Sequence, residues 1–134
     1  MPEFNTWNVS YPNISFVERA LNTHQRIASF KRSQDIVFEI ELINGQSIKM
    51  LLVNEYTLGL AAIHRALAEF PDVEYIVTCA NWNGYTYEAK EFGQKNDLGI
   101  FVVGEFFSSL YWTEPKKFYK KDKDGKPIFY YKAA

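Results

Sequence analysis

Two glutamates and a lysine are the first candidates for reactivity in this chain. Glu39 and Glu41 stand two apart in Asp35-Ile-Val-Phe-Glu-Ile-Glu-Leu-Ile43, so in an extended strand both carboxylates point to one face. Lys49 lies in the returning segment Gln46–Val53, with Glu55 just beyond it. Two carboxylates can hold a divalent cation, and an ammonium beside them can assist attack by a metal-bound water. The plainer reading of the same trio is a cross-strand Glu–Lys pair on a solvated face, and the sequence favours it.

A second group sits at a corner. Asn81, Trp82, Asn83 and Tyr85, with Gly84, follow the apolar run Tyr75–Cys79 and precede a helix start at Thr86. Ligands of open α/β sheets bind at such strand ends, and free helix amides suit an anion. Asn and Gly are also what a tight turn requires. The stretch is therefore read first as a hinge and second as a partner or ligand surface.

The third group is the tail. Residues 114–134 hold seven lysines against Glu114, Asp122 and Asp124, while the whole chain carries a net charge of −1. The body is thus mildly acidic and the tail basic. Lys116, Lys117, Lys120, Lys121, Lys123 and Lys126 interleave with Phe118, Tyr119, Phe129, Tyr130 and Tyr131. Phosphate contact plus stacking would suit single-stranded nucleic acid. The competing reading is a hairpin whose aromatics pack on the body and whose lysines are solvated.

No cofactor and no metal site is expected. His24 and His64 lack ligand spacing to each other or to Cys79, and read as structural histidines. Cys79, the one cysteine, falls inside a strand and reads as a buried, inert thiol. Asp122-Lys-Asp124-Gly125 begins like a calcium loop but lacks the later glutamate, so a hairpin turn is the better reading.

The elements that carry these residues follow from periodicity. Phe16, Val17, Ala20, Leu21, His24, Ile27 and Ala28 recur at three and four, which predicts a helix from Ile14 with Asn13 or Ser15 as cap and Lys31 and Arg32 at its end. Ile36 to Leu42 alternates with period two, Asn44-Gly45 is a turn, and Gln46 to Val53 returns as a strand. A three-residue loop, 43–45, with Gly45 left-handed pairs Leu42 with Gln46. It puts Ile40 opposite Ile48 and Phe38 opposite Met50 on the core face, and Glu39 opposite Lys49 on the other. A second helix spans Leu58 to Phe70 and ends at Pro71. Val73 to Cys79 reads as a buried strand. Thr86 caps a third helix to Asn96, with Ala89, Phe92 and Gly93 inward. Leu98 to Val103 is a further strand, and Glu105 to Trp112 a short helix.

The expectation is a single α/β (α+β) domain: a mixed β-sheet with helices on its faces, in the order α-β-β-α-β-α-β, then an aromatic, basic C-terminal hairpin. Residues 1–113 make the domain with its N-terminal arm, and 114–134 a tail packed on it. No apolar run approaches the ~18 residues a membrane helix needs, and no basic region precedes an apolar one at Met1–Asn5. With a single cysteine, these set a cytoplasmic expectation and no membrane partner.

The path through "YIVTCANWNGYTYEAKEFGQKNDLGIFVVGEFFSSL" resembles the restriction-endonuclease-like fold, especially its Mrr-type branch. Val77-Thr78, the turn 81–85, Glu88-Ala89, Gly99-Ile100 and Glu105 to Leu110 fall in the matching places, and the likeness covers roughly residues 14–111. The resemblance implies an acid on the first hairpin strand and a Glu/Gln-x-Lys on the second, where carboxylates hold Mg²⁺. Ile48-Lys49-Met50-Leu51-Leu52-Val53-Asn54 lacks that motif. The expected role is a non-catalytic protein-interaction or assembly module with a degenerate nuclease-like fold, in defence or toxin–antitoxin biology, bound to a protein partner. The alternatives are nucleic-acid binding through residues 114–134, and a metal-dependent nuclease with rearranged carboxylates at Glu39, Glu41 and Lys49.

Overall fold

A computed structural model describes residues 5–80 and 82–133. In chain order the elements are α1 (Tyr11–Thr23), β1 (Ile27–Ser33), β2 (Val37–Leu42), β3 (Ser47–Val53), β4 (Thr57–Leu58), α2 (Leu60–Glu69), β5 (Tyr75–Thr78), β6 (Gly84–Tyr85), α3 (Tyr87–Lys95), β7 (Gly99–Val102), α4 (Val103–Ser109), a 3-10 turn at Pro115–Lys117, β8 (Lys120–Lys121) and β9 (Pro127–Ile128). The main sheet has five strands in the order β1-β2-β3-β5-β7. The first three run antiparallel, and β3, β5 and β7 run parallel. Each parallel step crosses over through a helix, as parallel neighbours require. The mixed α/β architecture expected from the sequence is present.

The hairpin register agrees with its derivation from the sequence. Phe38 faces Met50, Glu39 faces Lys49 and Ile40 faces Ile48. Gly45 has φ 90, and its N–H donates to Leu42 O at 2.9 Å. A slip by one residue would turn Phe38 and Ile40, both buried, out to water.

The first helix departs from expectation. It stops at Thr23 rather than running through Ile27 and Ala28, and those residues open β1, a strand the expected order omits. His24 turns extended, with φ −75 and ψ 130, and its Nδ1 accepts the Arg26 N–H at 3.1 Å. Lys31 and Arg32 therefore lie in a strand, opposite Glu39 and Phe38, and not at a helix end. The helix starts earlier too. Ser10 is the cap, in place of Asn13 or Ser15, and its Oγ accepts the Asn13 N–H at 3.2 Å. Replacing Ser10 with Ala removes that acceptor, and a loss of about 1 kcal/mol is expected in urea denaturation; an unchanged midpoint would show that the cap contributes nothing.

One sheet face buries Phe38, Ile40, Met50, Leu52, Tyr75, Val77 and Phe101. α1 and α4 lie over it: Arg32, on that face, donates to Glu18 of α1 at 3.0 Å, and Phe106 of α4 meets the Tyr75 ring edge-on at 5.4 Å. α3 lies on the opposite face, where a Cβ at Gly93 would overlap Ile100, and α2 packs beside it. Together they cover Leu51, Val53, Ile76 and Ile100. The β1–β2 end of this second face is open. Among the described residues no helix is long and apolar enough to cross a membrane.

Candidate functional site

On the open end of the second face the register aligns Lys31, Glu39 and Lys49 in one row, with Ser29, Glu41 and Ser47 beside it. These residues line a shallow groove with Asp72 and Glu74. Ser33 donates to Glu39 at 3.4 Å and Ser29 to Glu41 at 3.3 Å. The structure thus brings Glu39, Glu41 and Lys49 together. Glu55 does not join them: its backbone N–H and C=O both bond Thr78 Oγ1. Among the described residues no group of three His, Cys, Asp or Glu is placed to hold a metal ion. The segment where a Glu/Gln-x-Lys would fall, Leu51-Leu52-Val53, is fully buried.

The corner 81–85 divides. Asn81 lies outside the described residues. Asn83 is buried, and its side-chain N–H groups reach Asn54 Oδ1, Thr78 Oγ1 and the Cys79 carbonyl. That network ties the ends of β3 and β5, which is the work of a hinge. Tyr85 is buried as well, so neither Asn83 nor Tyr85 offers a contact surface. Trp82 does. It is 68% exposed, and Tyr56 (60%), Tyr87 (56%) and Tyr131 (43%) are exposed near it. The Gly84 N–H donates to Tyr56 O at 2.9 Å, Tyr87 and Tyr131 lie 5.6 Å apart, and Lys132 Nζ sits 4.1 Å from the Tyr56 ring centre.

The tail packs rather than splays. Trp112, Phe118, Tyr119, Phe129 and Tyr131 form a chain of ring contacts. Lys116 meets Asp97 and Glu74, at 3.3 and 3.8 Å, and Lys117 meets Glu114 at 3.0 Å. Lys120 donates to Tyr130 OH at 3.1 Å. Lys121, Lys123 and Lys126 are exposed around the turn, where Asp122 Oδ1 accepts two backbone N–H groups. Residues 130–132 add to β6 as a strand would: Tyr85 N–H donates to Tyr130 O at 3.0 Å, and Lys132 N–H to Tyr85 O at 2.8 Å.

Beneath this segment lies a group that periodicity did not single out. Lys90 faces inward beside Ala89 and Gly93, whereas Phe92, expected inward, is half-buried. Lys90 Nζ donates to Ile100 O at 2.6 Å and sits over the rings of Phe101, Tyr85 and Phe129, at 4.2, 5.0 and 5.8 Å. Glu105 accepts from Tyr85 OH at 2.8 Å and from Val102 N–H at 3.0 Å. Burial lowers the Lys90 ammonium to about 8, with Glu105 opposing. Burial raises the Glu105 carboxyl, which Lys90, the Val102 N–H, Tyr85 and Lys120 offset. The one sequence signal was an acid in the first turn of α4; nothing local marks Lys90 as buried.

The remaining candidates read as structural. His24 Nε2 lies 2.8 Å from Phe107 O, and His64 meets Phe92 edge-on at 5.0 Å. Cys79 is buried, and burial pushes its thiol up to about 11, far from a reactive thiolate. No family model, curated protein or solved structure matches this chain.

Proposed function

We propose that this chain is a non-catalytic protein-interaction module of the cytoplasm, built on a fold that resembles the restriction-endonuclease-like type and docking a protein through the corner Tyr56, Trp82, Tyr87, Tyr131 and Lys132. The observation that carries this reading is the exposure of four large aromatic side chains at one corner. Trp and Tyr dominate the energetics of protein interfaces, and contiguous exposed apolar surface marks such sites. Leu51, Leu52 and Val53 support the non-catalytic part, because leucines cannot hold a metal where the resemblance would put one. The row Lys31–Glu39–Lys49 is a solvated ladder on this reading. An origin in defence or toxin–antitoxin systems rests on the fold resemblance alone. The nucleic-acid reading is less favoured, since the tail's rings are engaged with one another.

The test is capture of partners, with cross-linking, from the cells that encode the protein. Trp82→Ala/Tyr87→Ala should lose the captured partner at least about tenfold, because hot-spot residues, enriched in Trp and Tyr, each contribute about 2 kcal/mol or more. Glu39→Gln/Lys49→Met, on the distant sheet face, should retain it. Equal capture by the wild type and the corner variant would refute the assignment. So would a purified chain that cleaves DNA with Mg²⁺ or Mn²⁺ and loses that activity on Glu39→Ala.

A further inference from the structure

We propose that residues 127–132 form a detachable strap, which seals the buried cluster of Lys90, Glu105 and Tyr85 and carries Tyr131 and Lys132 of the aromatic corner with it. This rests on the corner reading only for its consequence; the strap itself is argued from geometry.

Few backbone hydrogen bonds hold the strap to the body; its side chains add the Lys132–Tyr56 bond at 3.1 Å and the ring contacts of Phe129 with Tyr119 and of Tyr131 with Tyr85 and Tyr87. Tyr130 O and Lys132 N–H pair with Tyr85, Tyr130 N–H donates to Tyr85 OH at 3.2 Å, and Lys120 donates to Tyr130 OH. The strap's first two residues, β9, pair only with β8, in a two-stranded ribbon too small to be stable alone. Gly84 lets the strap approach: a Cβ there would overlap the Tyr130 carbonyl oxygen and the Lys132 side chain. Under the strap the bonds connect it to buried charge. Tyr85 OH accepts from the strap and donates to Glu105, and Phe129 lies over Lys90.

Such a closure responds to pH. The groups that face Lys90 are Glu105 from α4, Tyr85 from β6, and the rings of Phe101 and Phe129. Those that face Glu105 are Lys90, Tyr85 and Lys120. Tyr131 has Tyr87, Glu105 and Glu91 around it. Opening returns Lys90 to water and to its ordinary range near 10.5, from about 8 when closed. The open form therefore binds the extra proton between those values, and opening falls as pH rises through them. Glu105 acts in the opposite sense on the acid side: the closed form holds its proton above the ordinary range, so opening grows as pH rises through that carboxyl's closed value. Through Lys90, the strap is tighter in alkali than at neutral pH. Its release would take Tyr131 and Lys132 from the corner and leave Trp82 in place.

The experiment needs no partner, so its failure and that of the docking assignment are separable. Amide protection of Lys132 in the full chain, corrected for intrinsic exchange, is measured between pH 7.5 and 9.5, where freed tyrosines, with an ordinary pKa of about 10, stay mostly protonated. A rise of at least about tenfold is expected in the wild type and a flat profile in Lys90→Met. Constant protection in the wild type, or the same rise in Lys90→Met, overturns the proposal. A second measurement stands apart from that variant. Acetic anhydride at pH 8 should modify Lys90, relative to exposed Lys95, at least about tenfold more in Gly84→Ala than in the wild type. An unchanged ratio overturns the strap.

Discussion

Glu105→Ala is expected to destabilise the fold by about 4 kcal/mol at pH 7, seen as a drop of roughly 15 °C in Tm. Glu105 is fully buried. Its two oxygens satisfy Tyr85 OH and the Val102 N–H. Alanine leaves both donors without an acceptor, and each such loss costs about 1–3 kcal/mol. It also removes the carboxylate whose charge favours the Lys90 ammonium, and a buried charge stripped of its counter-charge is a costly defect. Glu105→Gln keeps the shape and one acceptor, so it should cost less than half as much. Lys90→Met/Glu105→Leu should cost less than Glu105→Ala, because it removes both charges and refills the space. A loss below 1 kcal/mol for Glu105→Ala in urea denaturation would show that the cluster contributes nothing to stability.

The pH dependence separates the charge effect from lost packing. Lys90 is held at about 8 when folded against an ordinary 10.5, so the unfolded chain binds more protons between those values. Stability from this group is therefore complete above 10.5 and is lost as pH falls through 8, with a ceiling of roughly 3 kcal/mol. Without Glu105 the Lys90 ammonium drops further, and the window should extend to lower pH. Stability that stays flat across pH 8–10 in both forms would contradict the burial of a titrating Lys90.

What the sequence declares about this fold is what local patterns can encode. The β2–β3 hairpin is legible because Ile36–Leu42 alternates, Asn44-Gly45 marks the turn, and only one register puts Ile40, Ile48, Phe38 and Met50 on one face. Thr86 is legible as a cap because hydroxyl-to-amide capping is a three-residue affair, and Ala89 N–H does donate to Thr86 Oγ1, at 3.1 Å. β1 is not legible. Ile27 and Phe30 sit three apart, which a helix stripe also allows, and an edge strand exposes most of its residues. Its strand state comes from pairing with β2, a partner that no window over 27–33 contains. Lys90 and Tyr131 fail for the same reason. A lysine on a helix is solvated unless a distant segment closes over it. A terminal tyrosine is a loop residue until Tyr85 presents an edge. The candidate site was half visible: Trp82 stood out as an aromatic in a turn, while Tyr56, Tyr87 and Tyr131 gather only in three dimensions.

Trp7 is the second place where one residue should decide much. The N-terminal arm has no regular structure between Asn5 and Val9, yet Trp7 is 1% exposed. Local bonds shape the arm: Asn5 Oδ1 accepts the N–H groups of Trp7 and Val9, at 3.1 and 3.0 Å. Distant ones dock it. The Arg65 guanidinium lies 3.8 Å from the centre of the Trp7 ring, Trp7 Nε1 donates to Glu69 at 3.0 Å, and Asn54 N–H donates to Trp7 O at 3.1 Å. A buried tryptophan truncated to alanine typically costs about 3–5 kcal/mol. Trp7→Ala should therefore cost about 4 kcal/mol and open the arm to proteolysis. Trp7→Phe keeps the ring under Arg65 and loses the Nε1 bond, so roughly half that loss is expected. Glu69 separates packing from charge. Its carboxyl is held below the ordinary range by the Arg65 hydrogen bond and then by Trp7, but it sits at the surface, where ion pairs contribute at most about 1 kcal/mol. Glu69→Gln should then cost well under 1 kcal/mol. If Glu69→Gln matched Trp7→Ala, the arm would be held by charge and not by the buried ring. A Trp7→Ala loss under 1.5 kcal/mol would mean that the arm is dispensable to the core.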